Sequence, residues 1–401
     1  MNRKCAIGLL LAGLACASAG SAAETIKDAL GDSKPIIDWR IRYEGVDQAG
    51  IAESAEALTS RLRAGFQTGA WHATTLLGEA VWTDDLIDDF NSTTNGRTSY
   101  PVVADPGGFA AINRFALTNK SLEHTALTFG RQRIVLDDSR FVGNVGWRQN
   151  EQTYDGLRAQ MDWSAVDLDL SYVSQVNRIF GPDSPVGKWS GDIVLANLSA
   201  SLPIGKLTAF AYSLDLDEAA GLSSDTLGLR LSGSKALDKL SLLYTASLAR
   251  QTDAGRNPAD YAENYFLLEG GLRAGKFTTA LGYELLGSDG VNAVSMPLAT
   301  LHAFQGWADK FLATPAGGIA DSYVRLVYQS GAHGPFENLN VVGVYHDFES
   351  DQGSVHYGSE TDLSLVARFR RMTATLKYAA YDADSLFTDT DKLWLSLDYA
   401  F

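Results

Sequence analysis

The sequence predicts an all-β chain: a transmembrane antiparallel β-barrel of about eighteen strands with inward-folded loops. Three observations carry that expectation. They are the last nine residues, a two-residue alternation that recurs from end to end, and connections that alternate between long and short. The chain finishes Leu393-Trp394-Leu395-Ser396-Leu397-Asp398-Tyr399-Ala400-Phe401. Leu393, Leu395, Leu397, Tyr399 and Phe401 share one face of an extended strand, with Ser396 and Asp398 on the other. In a soluble protein such an edge invites aggregation. A barrel in lipid requires it, because one face meets hydrocarbon and closure pairs the last strand with the first.

At the other end, Arg3 and Lys4 precede an apolar run from Ala6 to Ala15, and Ser21-Ala22-Ala23 supplies the small residues that a signal peptidase needs. Residues 1–23 therefore read as a signal peptide and 24–401 as a single barrel domain. Cys16 raises a lipoprotein reading, but Gly13 stands where the lipid-attachment motif wants a leucine-like residue. Cys5 and Cys16 both fall in the leader, which leaves the mature chain without disulfides, thiolate metal sites or cysteine nucleophiles. With 33 basic and 48 acidic residues the net charge is −15, which argues against nucleic acid as a partner. Hydrophobic residues make up 45% of the chain, yet no later apolar run approaches the ~20 residues of a membrane helix.

The alternation supplies the strands in order. Ile37, Trp39, Ile41 and Tyr43 alternate with Asp38, Arg40, Arg42 and Glu44. Leu58, Leu62, Ala64 and Phe66 oppose Thr59, Arg61, Arg63 and Gln67. Leu157, Ala159, Met161 and Trp163 oppose Tyr154, Arg158, Gln160 and Asp162, and Val166, Leu168, Leu170 and Tyr172 oppose Asp167, Asp169 and Ser171. Leu227, Leu229 and Leu231 flank Arg230. Phe266, Leu268 and Leu272 oppose Glu269 and Arg273, and Phe277, Leu281, Tyr283 and Leu285 oppose Glu284. Leu363, Leu365, Ala367 and Phe369 oppose Asp362, Ser364 and Arg368, and Leu376 and Tyr378 flank Lys377. Both termini of such a barrel are periplasmic, so outside loops should be long and inside turns short. Residues 45–57, 84–106, 134–151, 176–191 and 287–320 read as long loops. Thr68-Gly69, Ser164-Ala165, Pro203-Ile204-Gly205, Ala274-Gly275 and Arg370-Arg371 read as tight turns, while 118–124 and 329–337 are long for inside turns.

A charge facing lipid at mid-bilayer costs about 2–4 kcal/mol, so charged strand residues should face the lumen. Parity places Arg40, Arg42, Arg61, Arg63, Arg158, Arg230, Arg273, Arg325, Arg368 and Lys377 there, together with Asp38, Glu44, Glu79, Asp167, Asp169, Glu269, Glu284, Asp362 and Asp398. Guanidinium groups along a pathway attract and orient anionic solutes. Taken singly, each arginine is as well explained by cross-strand pairing in a wet interior.

Two loops carry a resemblance to a known family. One runs Gly130-Arg131-Gln132-Arg133 through Asp137-Asp138-Ser139-Arg140-Phe141 and Gly146-Trp147-Arg148 to Tyr154-Asp155-Gly156. The other runs Thr300-Leu301-His302-Ala303-Phe304-Gln305-Gly306-Trp307-Ala308-Asp309-Lys310-Phe311. At these residues the chain resembles the alginate export porins, outer-membrane barrels related to the alginate secretion channel of pseudomonads. The resemblance implies a monomeric eighteen-strand barrel whose arginine-rich constriction conducts an anionic polyuronate, gated by inward loops, with Arg131 and Arg158 at functional positions. The chain is short for that family. The terminal pattern, with Leu397, Tyr399 and Phe401, likewise resembles the signal read by the barrel-assembly machinery. Phe304, Trp307 and Phe311, spaced three or four apart, fit one or two helical turns with an aromatic face that narrows the pore.

The expected function is an outer-membrane channel passing anionic sugars or polyuronate-type oligosaccharides by passive diffusion. The expected partners are that solute, outer-membrane lipid and lipopolysaccharide, with no cofactor and no metal. Two other classes stand beside it: an outer-membrane lipase-like enzyme and a non-conducting structural barrel. No histidine shows a metal-ligand spacing, and the one trio within reach of chance is Ser364 with His346 and a polar partner. The acids at Asp84–Asp89 and Asp137-Asp138 read as solvated loop residues rather than a Ca²⁺ site, since no EF-hand pattern is present.

Overall fold

The computed structural model describes residues 23–105 and 107–401, so the expected leader lies, apart from Ala23, outside the described residues. After a six-residue helix α1 (Ile26–Gly31), the first strands are β1 (Lys34–Gln48), β2 (Ala55–Gln67), β3 (Thr74–Asp89), β4 (Phe109–Asn119), β5 (Thr125–Gln132) and β6 (Thr153–Asp162). They continue with β7 (Val166–Asn177), β8 (Lys188–Leu202), β9 (Gly205–Leu216), β10 (Ser224–Leu237), β11 (Leu240–Asp253) and β12 (Ala262–Ala274). The last are β13 (Phe277–Leu286), β14 (Ile319–Gln329), β15 (Asn338–Glu349), β16 (His356–Phe369), β17 (Met372–Ala383) and β18 (Thr390–Ala400). Each strand pairs antiparallel with the next, and β1 pairs with β18, so the 18-stranded sheet closes. At the seam Arg40 sits opposite Asp398 and Gln48 opposite Thr390. Closure leaves no unpaired strand edge, the condition for a sheet in hydrocarbon.

Alternation decides which face is which. Leu227, Leu281, Leu326, Leu248 and Leu395 stand exposed on the outside. Their neighbours Tyr154, Tyr265, Tyr381 and Trp394 are fully buried inside. The outer apolar belt is a lipid-facing surface, and a closed barrel with such a belt belongs in the bacterial outer membrane. The start of β1, the end of β18 and the short turns share one rim, the periplasmic one in such barrels.

The bore is far from empty. Ile134, Leu136 and Val142 from the β5–β6 loop, with Val294, Met296 and Leu298 from the β13–β14 loop, pack on inward Tyr154, Phe210, Tyr212 and Tyr265 as one apolar core. Phe141 lies edge-on to Tyr265 at 5.1 Å. Burying each of these aliphatic side chains stabilises the folded loops by roughly 1.5–3 kcal/mol.

Several boundaries differ from the sequence reading. β1 runs to Gln48 and β3 to Asp89, so residues 45–48 and 84–89 are strand rather than loop. Above the membrane a ladder can be polar on both faces, and polarity there stops signalling a loop. The β2–β3 connection spans residues 68–73 rather than a two-residue turn. Gly69 serves α1 instead: its N–H donates to the Ala29 carbonyl at 2.9 Å, and a Cβ there would lie 2.8 Å from that of Asp32. As a test of the belt, Leu395→Arg should lower stability by about 2–4 kcal/mol, measured by urea unfolding in bilayers.

Candidate functional site

The candidate site is the bore where two loops cross it. On the wall formed by β1, β2 and β4–β6, guanidinium groups stand on successive strands. Arg40 pairs with Asp398 at 2.5 Å, Arg158 with Asp169 at 2.5 Å, and Arg61 with Asp38. Arg114 forks onto Glu79 through Nε and Nη2 at 2.9 and 2.7 Å, and Arg133 reaches Glu151 at 2.6 Å. Arg63 is only loosely placed, 3.8 Å from Glu151. Several donors here have no partner: Nε and Nη1 of Arg61, and Nε and Nη2 of Arg63. Buried charge is tolerated only when paired, and the surrounding arginines hold the Glu151 carboxyl well below the usual range even though burial opposes that shift.

The opposite wall is also mixed. Arg325 meets Glu269 at 2.5 Å, and His346 Nδ1 lies 2.9 Å from Asp321. Arg230 binds Asp138 at 2.8 Å, joining β10 to the β5–β6 loop. Arg273 has no carboxylate within 4.0 Å among the described residues. Arg368, paired with Glu337 at 3.6 Å, is exposed at the periplasmic rim, away from the crossing.

The β5–β6 loop spans the bore. Asp137 accepts from Asn197 at 2.8 Å on one side, and the Trp147 carbonyl accepts from Arg40 and Arg42 at 2.9 and 2.6 Å on the other. Arg42 also binds Asp105 of the β3–β4 loop, whose Oδ1 accepts the Gln149 N–H at 2.9 Å. The β13–β14 loop crosses beside it. Gln305 donates to Glu284 at 2.5 Å, and the Trp307 and Ala308 N–H groups donate to Asp362 and Glu360 at 3.2 and 2.7 Å. Two glycines permit the crossing. A Cβ on Gly143 would lie 2.2 Å from Thr300 Oγ1, and one on Gly306 (φ 81°) would lie 2.3 Å from Glu360.

Lys377 latches both loops to the wall. Its ammonium lies 3.7 Å from the Trp307 ring, 4.4 Å from Trp147 and 5.4 Å from Trp394. It donates to His302 Nε2 at 2.6 Å, which leaves the proton on Nδ1 to donate to Asp309 at 2.8 Å. Trp147 stacks on His302 with centroids 4.7 Å apart, and Arg148 reaches Asp309 at 2.6 Å. Burial, with help from Lys377 and Arg148 and against the pull of Asp309, pushes the His302 pKa down to about 3.

Four expectations change at this level. Arg131 is not in the bore. It shares parity with outward Phe129, sits opposite outward Phe115, and pairs with Asp155 at 2.8 Å near the extracellular end of β5. Phe304, Trp307 and Phe311 do not form an aromatic helix face, because the loop's helical structure is a single 3-10 turn, Leu301–Ala303. Phe304 lies under Arg140, Trp307 under Lys377, and Phe311 is buried against Phe348 at 4.6 Å, out of reach of any sugar. Asp137 is exposed and Asp138 half-buried, but beyond being solvated both tie their loop to the wall. Ser364 cannot serve His346: His346 sits opposite Glu360, four residues away along β16, a separation of roughly 13 Å.

Sequence reasoning missed Arg114, Arg133, Arg140 and Arg148. Arg114 escaped because β4 bulges opposite Glu79 and Ala80, turning both Asn113 and Arg114 to Glu79. The other three flank or lie within a loop, where parity has no meaning. Among the described residues no group of three or more His, Cys, Asp or Glu is placed to hold a metal.

Neither a family model nor a curated protein matches the chain. Solved structures do. The outer membrane protein OpdK of Pseudomonas aeruginosa superposes with a TM-score of 0.71 at 14% identity, over 93% of this chain and 99% of that one. The chain has its fold. OpdK has also been solved with vanillate, at a TM-score of 0.72 and 15% identity, over 93% of this chain and 99% of that one. OccAB4 of Acinetobacter baumannii matches at 0.69 and 15% identity, over 92% and 98%. These three are outer-membrane barrels and not alginate export porins, so they support the broad architecture without the finer resemblance.

Two outcomes test the latch. Lys377→Met should give larger, noisier single-channel currents in planar bilayers while thermal unfolding remains cooperative. In a released loop His302 would titrate near its ordinary 6.5, so protonation favours release as pH falls from 6.5 toward about 3. Channel noise should therefore rise across that window and stay flat above it.

Proposed function

We propose that this protein is an outer-membrane channel that passes anionic solutes by passive diffusion, with carboxylates and anionic sugars such as uronates as its class of cargo. The reading rests on the arginine wall. Arg40, Arg114, Arg133 and Arg158 stand partly exposed along it, beside the buried Arg61 and Arg63. Guanidinium forks fit carboxylates in two-point contacts, and vanillate, the compound solved with OpdK, is a carboxylate. Two loops across the bore favour solutes of one or a few rings over a long polyuronate. The barrel acts as a monomer, inserted through its terminal Leu397, Tyr399 and Phe401. The mixed signs of the wall charges suit weak anion preference rather than a strongly phosphate-selective pore.

Conductance in planar bilayers under a salt gradient tests this. Wild type should reverse on the anion-selective side, and uronate monomers should block or carry current. Arg158→Ala, which leaves Asp169 without its partner, should move the reversal potential toward cations. No conductance at any voltage, or cation selectivity in the wild type, would overturn the proposal.

A further inference from the structure

The turn between β16 and β17 is Arg370-Arg371. Two-residue hairpin turns favour Asn, Asp or Gly, because their residues adopt left-handed backbone angles. Arg370 nevertheless sits at φ 51°. Both side chains are exposed. Their neighbour Arg368 is occupied by Glu337, but Arg370 and Arg371 have no carboxylate within 4.0 Å among the described residues.

Each guanidinium instead lies over an aromatic ring, Arg370 at 5.2 Å from the centroid of Phe369 and Arg371 at 4.1 Å from that of Phe401. Phe401 is fixed by its N–H donating to the Ile37 carbonyl at 2.8 Å, and the Ala400 N–H donates to the Arg371 carbonyl at 3.1 Å. Phe369 and Phe401 are exposed and extend the outward faces of β16 and β18, which carry Leu363, Leu365, Leu393 and Leu395. A stacked guanidinium keeps its in-plane N–H edge free, and that edge matches phosphate oxygens.

We propose that this foot of the seam binds the phosphate of an anionic phospholipid in the periplasmic leaflet. Arg370 and Arg371 hold the headgroup, and the acyl chains run along Phe369 and Phe401. The site faces lipid rather than the bore, so it stands or falls apart from the channel reading.

Native mass spectrometry of the full chain in detergent tests it, with phosphatidylglycerol, phosphatidylcholine and inorganic phosphate as probes. Wild type should retain one phosphatidylglycerol with a preference over phosphatidylcholine of roughly thirtyfold, the factor that two arginines near an anionic surface supply. R370Q/R371Q should lose that preference while keeping the heat-dependent gel shift of a folded barrel. An unchanged preference in this variant would overturn the proposal. Displacement of the lipid by inorganic phosphate would also overturn it, by showing a free-anion site. Should the glutamine pair fail to fold, R370K/R371K serves: a several-fold drop is expected, and none would overturn the stacking assignment.

Discussion

One constraint governs this protein: in hydrocarbon every backbone N–H and C=O must be satisfied within the chain. Eighteen strands meet it by closing β1 onto β18. Closure then fixes the side chains, because a period of two leaves each strand residue only two directions. Apolar groups go to lipid, and charged groups, which lipid would penalise, gather in the bore. The arginine wall is thus first a product of the membrane and only then material for selectivity.

The bore imposes a second demand. A barrel of this circumference is too wide for side chains alone, and the chain fills it with its own loops. Those loops bring apolar residues against the inward tyrosines, Asp138 against wall Arg230, Arg140 against wall Glu284 and Arg148 against Asp309 of the other loop, so the interior is part hydrophobic core and part ion-pair lattice. Most of the wall's positive charge is matched by carboxylate. The donors that stay unmatched, among them those of Arg61 and Arg63, are buried, so the guanidinium surface left open to the bore is that of Arg40, Arg114, Arg133 and Arg158.

The fold was legible wherever parity held. Ile37 to Glu44, Phe266 to Arg273 and the terminal strand could be assigned faces from alternation alone, since lipid on one side and water on the other leave little freedom. Parity failed at the β4 bulge, which turned Arg114 inward without any mark in composition. Arg131 went astray for a different reason. It was placed by likeness of a loop segment, whereas its own strand, through Phe129, puts it outside. The latch was illegible for a third reason. Lys377, His302, Trp147 and Trp394 lie far apart in sequence, and only the crossing of two loops brings them together.

The latch also orders the making of the protein. Its lysine and one of its tryptophans come from β17 and β18, the final hairpin. The loops that lean on them are synthesised much earlier. Until that hairpin docks, Trp147 is hydrogen-bonded only to Arg40 and Arg42 of β1 and His302 only to its own loop's Asp309, so the passage takes its finished width when the wall itself is complete.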